Sequence, residues 1–259
     1  MLRETSVATV SAILLRRGFR HQCLSGVRAI EPGGGVMAGP AYTLRFIPAR
    51  EDVDTMAWLA RPDNVQRRAV EECPPGAVLV IDAGSTRAAS AGDLMARRLR
   101  VRGCAGMVTD GGFRDTAGIA AAGLPAYQRE SAPCASPAAL HPVDVGLPIG
   151  CAGVAIYPGD IVMGDADGVV AIPADIAAEV ACEAVAAASY EDYAAERIDR
   201  GASLFDMFPA SEASWKPFAC GRKRTGKALP AGGQAGVRAY APRPNTLSRF
   251  SGRPRRVGW

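Results

Sequence analysis

Two short segments of this chain have residue types suited to chemistry on a small anion. Gly92-Asp93-Leu94-Met95 opens a stretch with helical spacing. The unsatisfied N–H groups of a first helical turn there can hold an anion. Asp110-Gly111-Gly112-Phe113-Arg114-Asp115 follows an apolar run that reads as a buried strand and precedes a short helix. That puts it at the carboxyl end of a strand, where α/β proteins gather their ligand sites. Arg114 offers a planar fork for a carboxylate. Asp93, Asp110 and Asp115 are hard oxygen donors of the kind Mg²⁺ or Mn²⁺ takes. Together these groups can bind a 2-oxo acid and a divalent cation. The competing reading is that Arg114 and Asp115 form a capping or surface ion pair, and spacing alone leaves both open.

What the chain lacks narrows the chemistry. Its only histidines are His21 and His141, too few for a His-ligated metal centre, and both read as surface or loop residues. With no histidine near a serine or cysteine, a Ser-His-Asp or Cys-His hydrolase is disfavoured. All three lysines, Lys216, Lys223 and Lys227, lie near the C-terminal end. A Schiff-base lysine in the body is therefore closed off, and carbonyl chemistry would need a metal ion as electron sink. Gly221 to Lys227 resembles the start of a phosphate loop, but Ala228 stands where Ser or Thr is required and no strand precedes it. Asp165-Ala166-Asp167-Gly168 lacks the later ligands of a calcium loop and reads as a β-turn.

The elements that must position these residues follow from periodicity. Thr5 or Ser6 caps a helix running to about Gly18, with Val7, Val10, Ile13 and Leu14 on one face. Glu31 to Pro40 reads as a loop and Tyr42 to Ile47 as a strand ended by Pro48. Asn64 to Cys73 and Gly92 to Arg102 read as helices. Ala77 to Ile81 and Ala105 to Thr109 read as buried strands, with a short helix over Thr116 to Ala122. This alternation is an α/β signature. Short strands follow at Val154 to Tyr157, Ile161 to Met163 and Val169 to Ile172. Pro173 and Asp175 then open a long helix to about Arg200.

The bulk numbers bound the class. The chain has 259 residues, 48% hydrophobic and 6% aromatic, enough for a sizeable core. No apolar stretch reaches the ~18–20 residues of a membrane helix, and residues 1–18 lack a signal-peptide pattern, so the expected location is cytoplasmic. Seven widely spaced cysteines with no Cys-x-x-Cys pair predict small buried hydrophobes, without a disulfide framework or zinc knuckle. The net charge of +4 hides an asymmetry. From Ala210 onward there are 11 Lys and Arg against one acid, Glu212, which leaves the body at −6. The expected division is a folded α/β domain over residues 1–209 and a basic Gly/Pro/Arg-rich tail over 210–259 without fixed structure.

The two site segments, together with Gly39-Pro40-Ala41 and the run from Pro158 to Pro173, resemble the RraA-like family over about Ser6 to Phe208. That family holds 4-hydroxy-4-methyl-2-oxoglutarate aldolases, which also decarboxylate oxaloacetate, and RNase E regulators. The resemblance implies a layered β/β/α sandwich like the swivelling phosphohistidine-type domain. It implies homotrimers, sometimes paired into hexamers, with sites between subunits. It also implies that Arg114 binds pyruvate, that Asp115 contacts the metal, and that Gly92, Asp93, Leu94 and Met95 offer main-chain N–H groups to substrate. Asp93 would help hold metal-bound water. A late glutamate, Glu196 or as second choice Glu191, would arrive from a neighbouring subunit. Non-enzymatic regulators of the family lack the aspartate of the Arg-Asp pair, and this sequence keeps it.

The implied function is a lyase, a Mg²⁺- or Mn²⁺-dependent class II aldolase or decarboxylase. Its substrate would be a 4-substituted 2-oxo acid: 4-hydroxy-4-methyl-2-oxoglutarate, oxaloacetate or a keto-deoxy sugar acid. The alternative is a non-enzymatic, RNase E regulator-like binding protein. Binding to nucleic acid is expected nowhere but through the basic tail.

Overall fold

The computed structural model describes residues 1–33 and 35–224, with side chains to Ala219. The strands are β1 (Arg28–Ala29), β2 (Met37–Pro48), β3 (Val78–Asp82), β4 (Ala89–Ala91), β5 (Gly106–Thr109), β6 (Gly112–Phe113) and β7 (Ala126–Gln128). They continue with β8 (Glu130–Ser131), β9 (Leu140–Val145), β10 (Ile149–Cys151), β11 (Val154–Ile156), β12 (Ile161–Asp165) and β13 (Gly168–Ile172). The helices are α1 (Val7–Arg16), α2 (Met56–Leu59), α3 (Val65–Glu72), α4 (Asp93–Val101), α5 (Thr116–Ala122), α6 (Ala177–Asp199), α7 (Leu204–Met207) and α8 (Glu212–Arg224).

The continuous apolar run of β3 puts it at the centre of the main sheet, ordered β1-β7-β5-β3-β2-β12-β13, with β9 also paired to β2. Strands β2, β3, β5 and β7 run parallel, whereas β12, β13 and β9 join antiparallel. The chain just before β1 brings the sheet's two ends together. Leu24 N–H donates to Val169 O at 2.9 Å, and Ala171 N–H donates to Gln22 O at 2.8 Å. Residues 28 and 29 then pair with β7. The result is a mixed α/β protein whose curved sheet nearly closes into a barrel.

Strand alternation sorts the core into layers. Val78, Val80, Val108 and Tyr127 pack with Val162 and Ile156 on one face. Leu79, Ile81 and Met107 face the other way, toward Val70, Ala96, Leu99 and Ile119 of α3, α4 and α5. Helices α1 and α6 cover β12 and β13 through Val10, Ile13, Leu14, Met163, Val170 and Val180. The expected α1 cap is Ser6, whose hydroxyl accepts from Thr9 N–H at 3.0 Å. The Asp165–Gly168 turn is the β12–β13 hairpin, closed by Asp167 N–H donating to the Asp165 carboxylate at 2.9 Å.

Several expectations need correction. The loop expected over Glu31 to Pro40 ends early, because Met37 to Pro40 already pair with β12. Gly39 is there for close approach, since a Cβ on it would sit 2.2 Å from Gly76 O. His141 is no loop residue. It lies in β9 with Nδ1 2.6 Å from Oδ1 of the buried Asp54. The structureless tail expected from residue 210 does not hold for Glu212–Arg224, which form α8. Trp215 and Phe218 pack on Tyr190 of α6, and the Tyr190 hydroxyl donates to Ser214 Oγ at 2.6 Å. Residues 225–259 of that expected tail, including the end of the phosphate-loop-like run, lie outside the described residues. Of the six cysteines with described side chains, all are free thiols, but only Cys73, Cys104 and Cys151 are buried. No helix among the described residues is long and apolar enough to cross a membrane.

Candidate active site

The site rests on a second, three-stranded parallel sheet, β4-β6-β8. In it two strand-to-helix turns lie side by side. Strand β4 ends at Ala91 and leads through Gly92 into α4, while β6 ends at Phe113 and leads through Arg114 and Asp115 into α5. Phe113 is fully buried and its N–H donates to Gln128 Oε1 at 2.7 Å. Alternation then turns the Arg114 side chain outward. The Arg114 N–H donates to Ala91 O at 3.1 Å, which ties the two turns together.

Gly92 is the N-cap of α4 and supplies no capping side chain. The N–H groups of Asp93, Leu94 and Met95 have no acceptor among the described residues; the next one, Ala96 N–H, donates to Gly92 O. A Cβ on Gly92 would sit 3.1 Å from both Arg114 Cγ and Asp115 Oδ2. Glycine here lets the guanidinium and the carboxylate close over the helix start.

Arg114 Nε donates to Asp115 Oδ2 at 3.0 Å, with the two side chains 43% and 45% exposed. The guanidinium's Nη atoms and Asp115 Oδ1 have no partner among the described residues. Asp115 is the N-cap of α5 but does not cap it through its side chain. It adopts the left-handed conformation, φ 56° and ψ 41°, uncommon for any residue but glycine. An Asp held there turns its carboxylate back to Arg114 and away from its own helix, the kind of backbone strain found at functional sites. Asp93 sits against α5. A Cβ on Gly118 would come within 2.8 Å of Asp93 Cβ, and Asp93 Oδ2 makes a 3.5 Å contact with Arg97 Nε.

The third acid, Asp110, is not available as a ligand. Oδ1 accepts from Ala83 N–H at 2.8 Å and Gly84 N–H at 3.2 Å, and Oδ2 accepts from Ala152 N–H at 3.0 Å. This buried carboxylate stitches β5, the loop after β3 and the β10–β11 turn. Sequence reasoning passed over its neighbour Asp82, whose Oδ2 accepts from Gly150 N–H at 3.3 Å. Burial, reinforced by the Asp110 charge, raises the Asp82 pKa. An acid whose pKa rises on folding opposes folding once it ionises, so its cost is absent at low pH and complete above its folded pKa. Asp82→Asn is therefore expected to raise the melting temperature at neutral pH. The gain should vanish below the ordinary carboxylate range, as thermal unfolding across pH would read.

Glu191 and Glu196 lie on α6, which packs chiefly on α1, α7 and α8 and not on the Arg114–Asp115 turn. Glu191 Oε2 accepts from Thr9 Oγ1 at 3.0 Å, and Glu196 Oε1 accepts from Arg200 Nη2 at 2.5 Å. Within one chain, neither glutamate joins the pair. Among the described residues no group of three or more His, Cys, Asp or Glu forms a ready metal cluster.

Fold and site together define an α/β protein that presents a guanidinium, a carboxylate and a free helix N-terminus at one solvent-facing spot. The chain belongs to the RraA-like family, Aldolase/RraA, whose model matches residues 7–171. A relative from Halalkalibacterium halodurans, named "Putative 4-hydroxy-4-methyl-2-oxoglutarate aldolase", is 38% identical over 138 residues, 53% of this chain. The match spans 60% of that relative's length. A protein of the same name from Burkholderia mallei is 35% identical over 146 residues, covering 53% of this chain and 77% of its own. Among solved structures, Streptomyces coelicolor RraAS2 aligns with a TM-score of 0.65 at 33% identity, over 78% of this chain and 94% of its own. RraAS2 is described as an unusual member of the RNase ES inhibitor RraA protein family.

Proposed function

We propose that this chain is a divalent-metal-dependent carbon–carbon lyase that releases pyruvate from 4-substituted 2-oxo acids. The observation that carries the reading is the Arg114–Asp115 pair, 3.0 Å apart, closed over the uncapped start of α4 at a glycine with no room for a side chain. The names of the relatives agree with it.

The donor set fits a hard cation. Asp115 keeps one carboxylate oxygen without a partner among the described residues, and Asp93 is held only by a long contact to Arg97. One or two carboxylates with several waters is how Mg²⁺ is commonly bound. Asp115 would hold the ion, joined in an assembled homotrimer or hexamer by Glu196, or else Glu191, of a neighbouring copy. When bound, Mg²⁺ or Mn²⁺ supplies a Lewis acid for the 2-oxo and carboxylate oxygens.

The chain's own groups do the rest. The Arg114 Nη atoms take the pyruvyl end of the substrate, and the N–H groups of Leu94 and Met95 take its carboxylate. As the C3–C4 bond breaks, its electron pair becomes the enolate of pyruvate. The departing fragment leaves as carbon dioxide from oxaloacetate, or as a carbonyl compound once a C4 hydroxyl gives up its proton. Arg114 lies where that developing negative charge needs a donor. Asp93 orients a water that returns a proton to C3. The swivelling β/β/α layering and a cytoplasmic location complete the proposal.

A coupled pyruvate assay over a panel of 4-substituted 2-oxo acids tests it. Turnover is expected with Mg²⁺ or Mn²⁺ and none after exhaustive chelation; undiminished turnover in chelator would end the proposal. The second reading, an RNase-regulating binding protein, draws on the likeness to the Streptomyces RNase ES inhibitor family member. It predicts no turnover on any panel member together with saturable binding to an RNA-degrading enzyme.

A further inference from the structure

Two unpartnered apolar surfaces lie at separate places on this chain. One is on α7, where Leu204 is 59% exposed and Phe205 is 97% exposed. The other is a groove of about 630 Å³ where α2, α3 and the start of α4 meet, lined by Met56, Leu59, Leu94 and Met95 and flanked by Arg67 and Arg98. Leu94, 76% exposed, belongs both to this groove and to the helix start of the proposed site.

Exposed aromatic and aliphatic side chains clustered on one short helix mark an interaction surface. Charge says what covers it. The groove's ionic lining is Arg67, Arg68 and Arg98 against Glu71. The stretch from Asp192 to Asp206 carries Asp192, Glu196, Asp199 and Asp206 against Arg197 and Arg200. A cationic apolar groove and an acidic apolar knob on the same chain are the two halves of a head-to-tail contact, which makes a closed ring when its rotation closes.

We infer that α7 of one copy docks Leu204 and Phe205 into the α2–α3–α4 groove of a neighbouring copy, covering Leu94 and walling the Arg114–Asp115 site from solvent. This deepens the self-association within the proposed function and rests on it. The test reads where the copies touch, so it can fail while turnover survives.

Phe205→p-benzoylphenylalanine, mixed as isotopically heavy and light full-length protein and irradiated, reports the contact by mass spectrometry. Heavy–light adducts within residues 56–71 or 94–98 are expected. Adducts only elsewhere, only within one copy, or none would overturn the inference. A second variant, Phe205→Asp, alters a side chain that touches almost nothing within its own chain and should keep the native circular dichroism. It is expected to sediment as a smaller species than the unaltered protein; an unchanged sedimentation coefficient would overturn the docking as surely.

Discussion

Replacing Arg114 with alanine is expected to lower kcat/KM for pyruvate release by about 10²–10³-fold, the usual cost of removing one donor that meets developing negative charge. The argument depends on where the side chain is. Its Nε is committed to Asp115 while its Nη atoms have no partner among the described residues, and it is 43% exposed. Truncating an exposed side chain outside the core changes stability by only about 0.5 kcal/mol. Lost turnover with an unchanged melting temperature therefore assigns the effect to chemistry. Arg114→Lys is expected to rescue little, because a point charge cannot both hold Asp115 through one nitrogen and present a flat pair of donors to a carboxylate. Rates must be taken above the background of metal ion alone. Retention of wild-type kcat/KM in Arg114→Ala would remove this residue from the mechanism.

The second large effect is at Asp115. Asparagine tolerates the left-handed backbone that Asp115 adopts and has nearly the same shape, so Asp115→Asn removes the charge with little else. Turnover is expected to fall by about 100-fold or more, with a matching weakening in the Mg²⁺ or Mn²⁺ concentration needed for half-activity. Asp115→Ala is the poorer probe, since alanine in that conformation costs about 1–2 kcal/mol of its own. A variant with normal metal dependence and reduced rate would move the ion away from Asp115.

What could be read from the sequence tracks how local its cause is. The α1 cap at Ser6, the helix starts at Asn64 and Gly92, and the buried runs of β3 and β5 are set by neighbours a few residues away. The pieces that escaped depend on partners far along the chain. Strands β4, β6 and β8 are two or three residues long and exist only because they pair with one another. The first part of β2 hid behind Gly39 and Pro40, where glycine signals a passing carbonyl and not a loop. Helix α8 hid in a basic, proline-containing segment, since Trp215 and Phe218 reveal nothing until Tyr190 is beside them.

The site divides along the same line. The adjacency of Arg114 and Asp115 is in the sequence, but the need for glycine at position 92 beneath them is explained only by the fold. Asp110 looks like a ligand by type. Its role as an anchor is set by N–H groups of Ala83, Gly84 and Ala152, which no spacing reveals.

A diffraction experiment on the full chain with Mn²⁺ and oxalate, a stable mimic of the pyruvate enolate, would test the central proposal at its source. Anomalous density for manganese is predicted against the Asp115 carboxylate, with oxalate between Arg114 and the N–H groups of Leu94 and Met95. Manganese and oxalate bound together elsewhere, with the Arg114–Asp115 pair untouched, would contradict it.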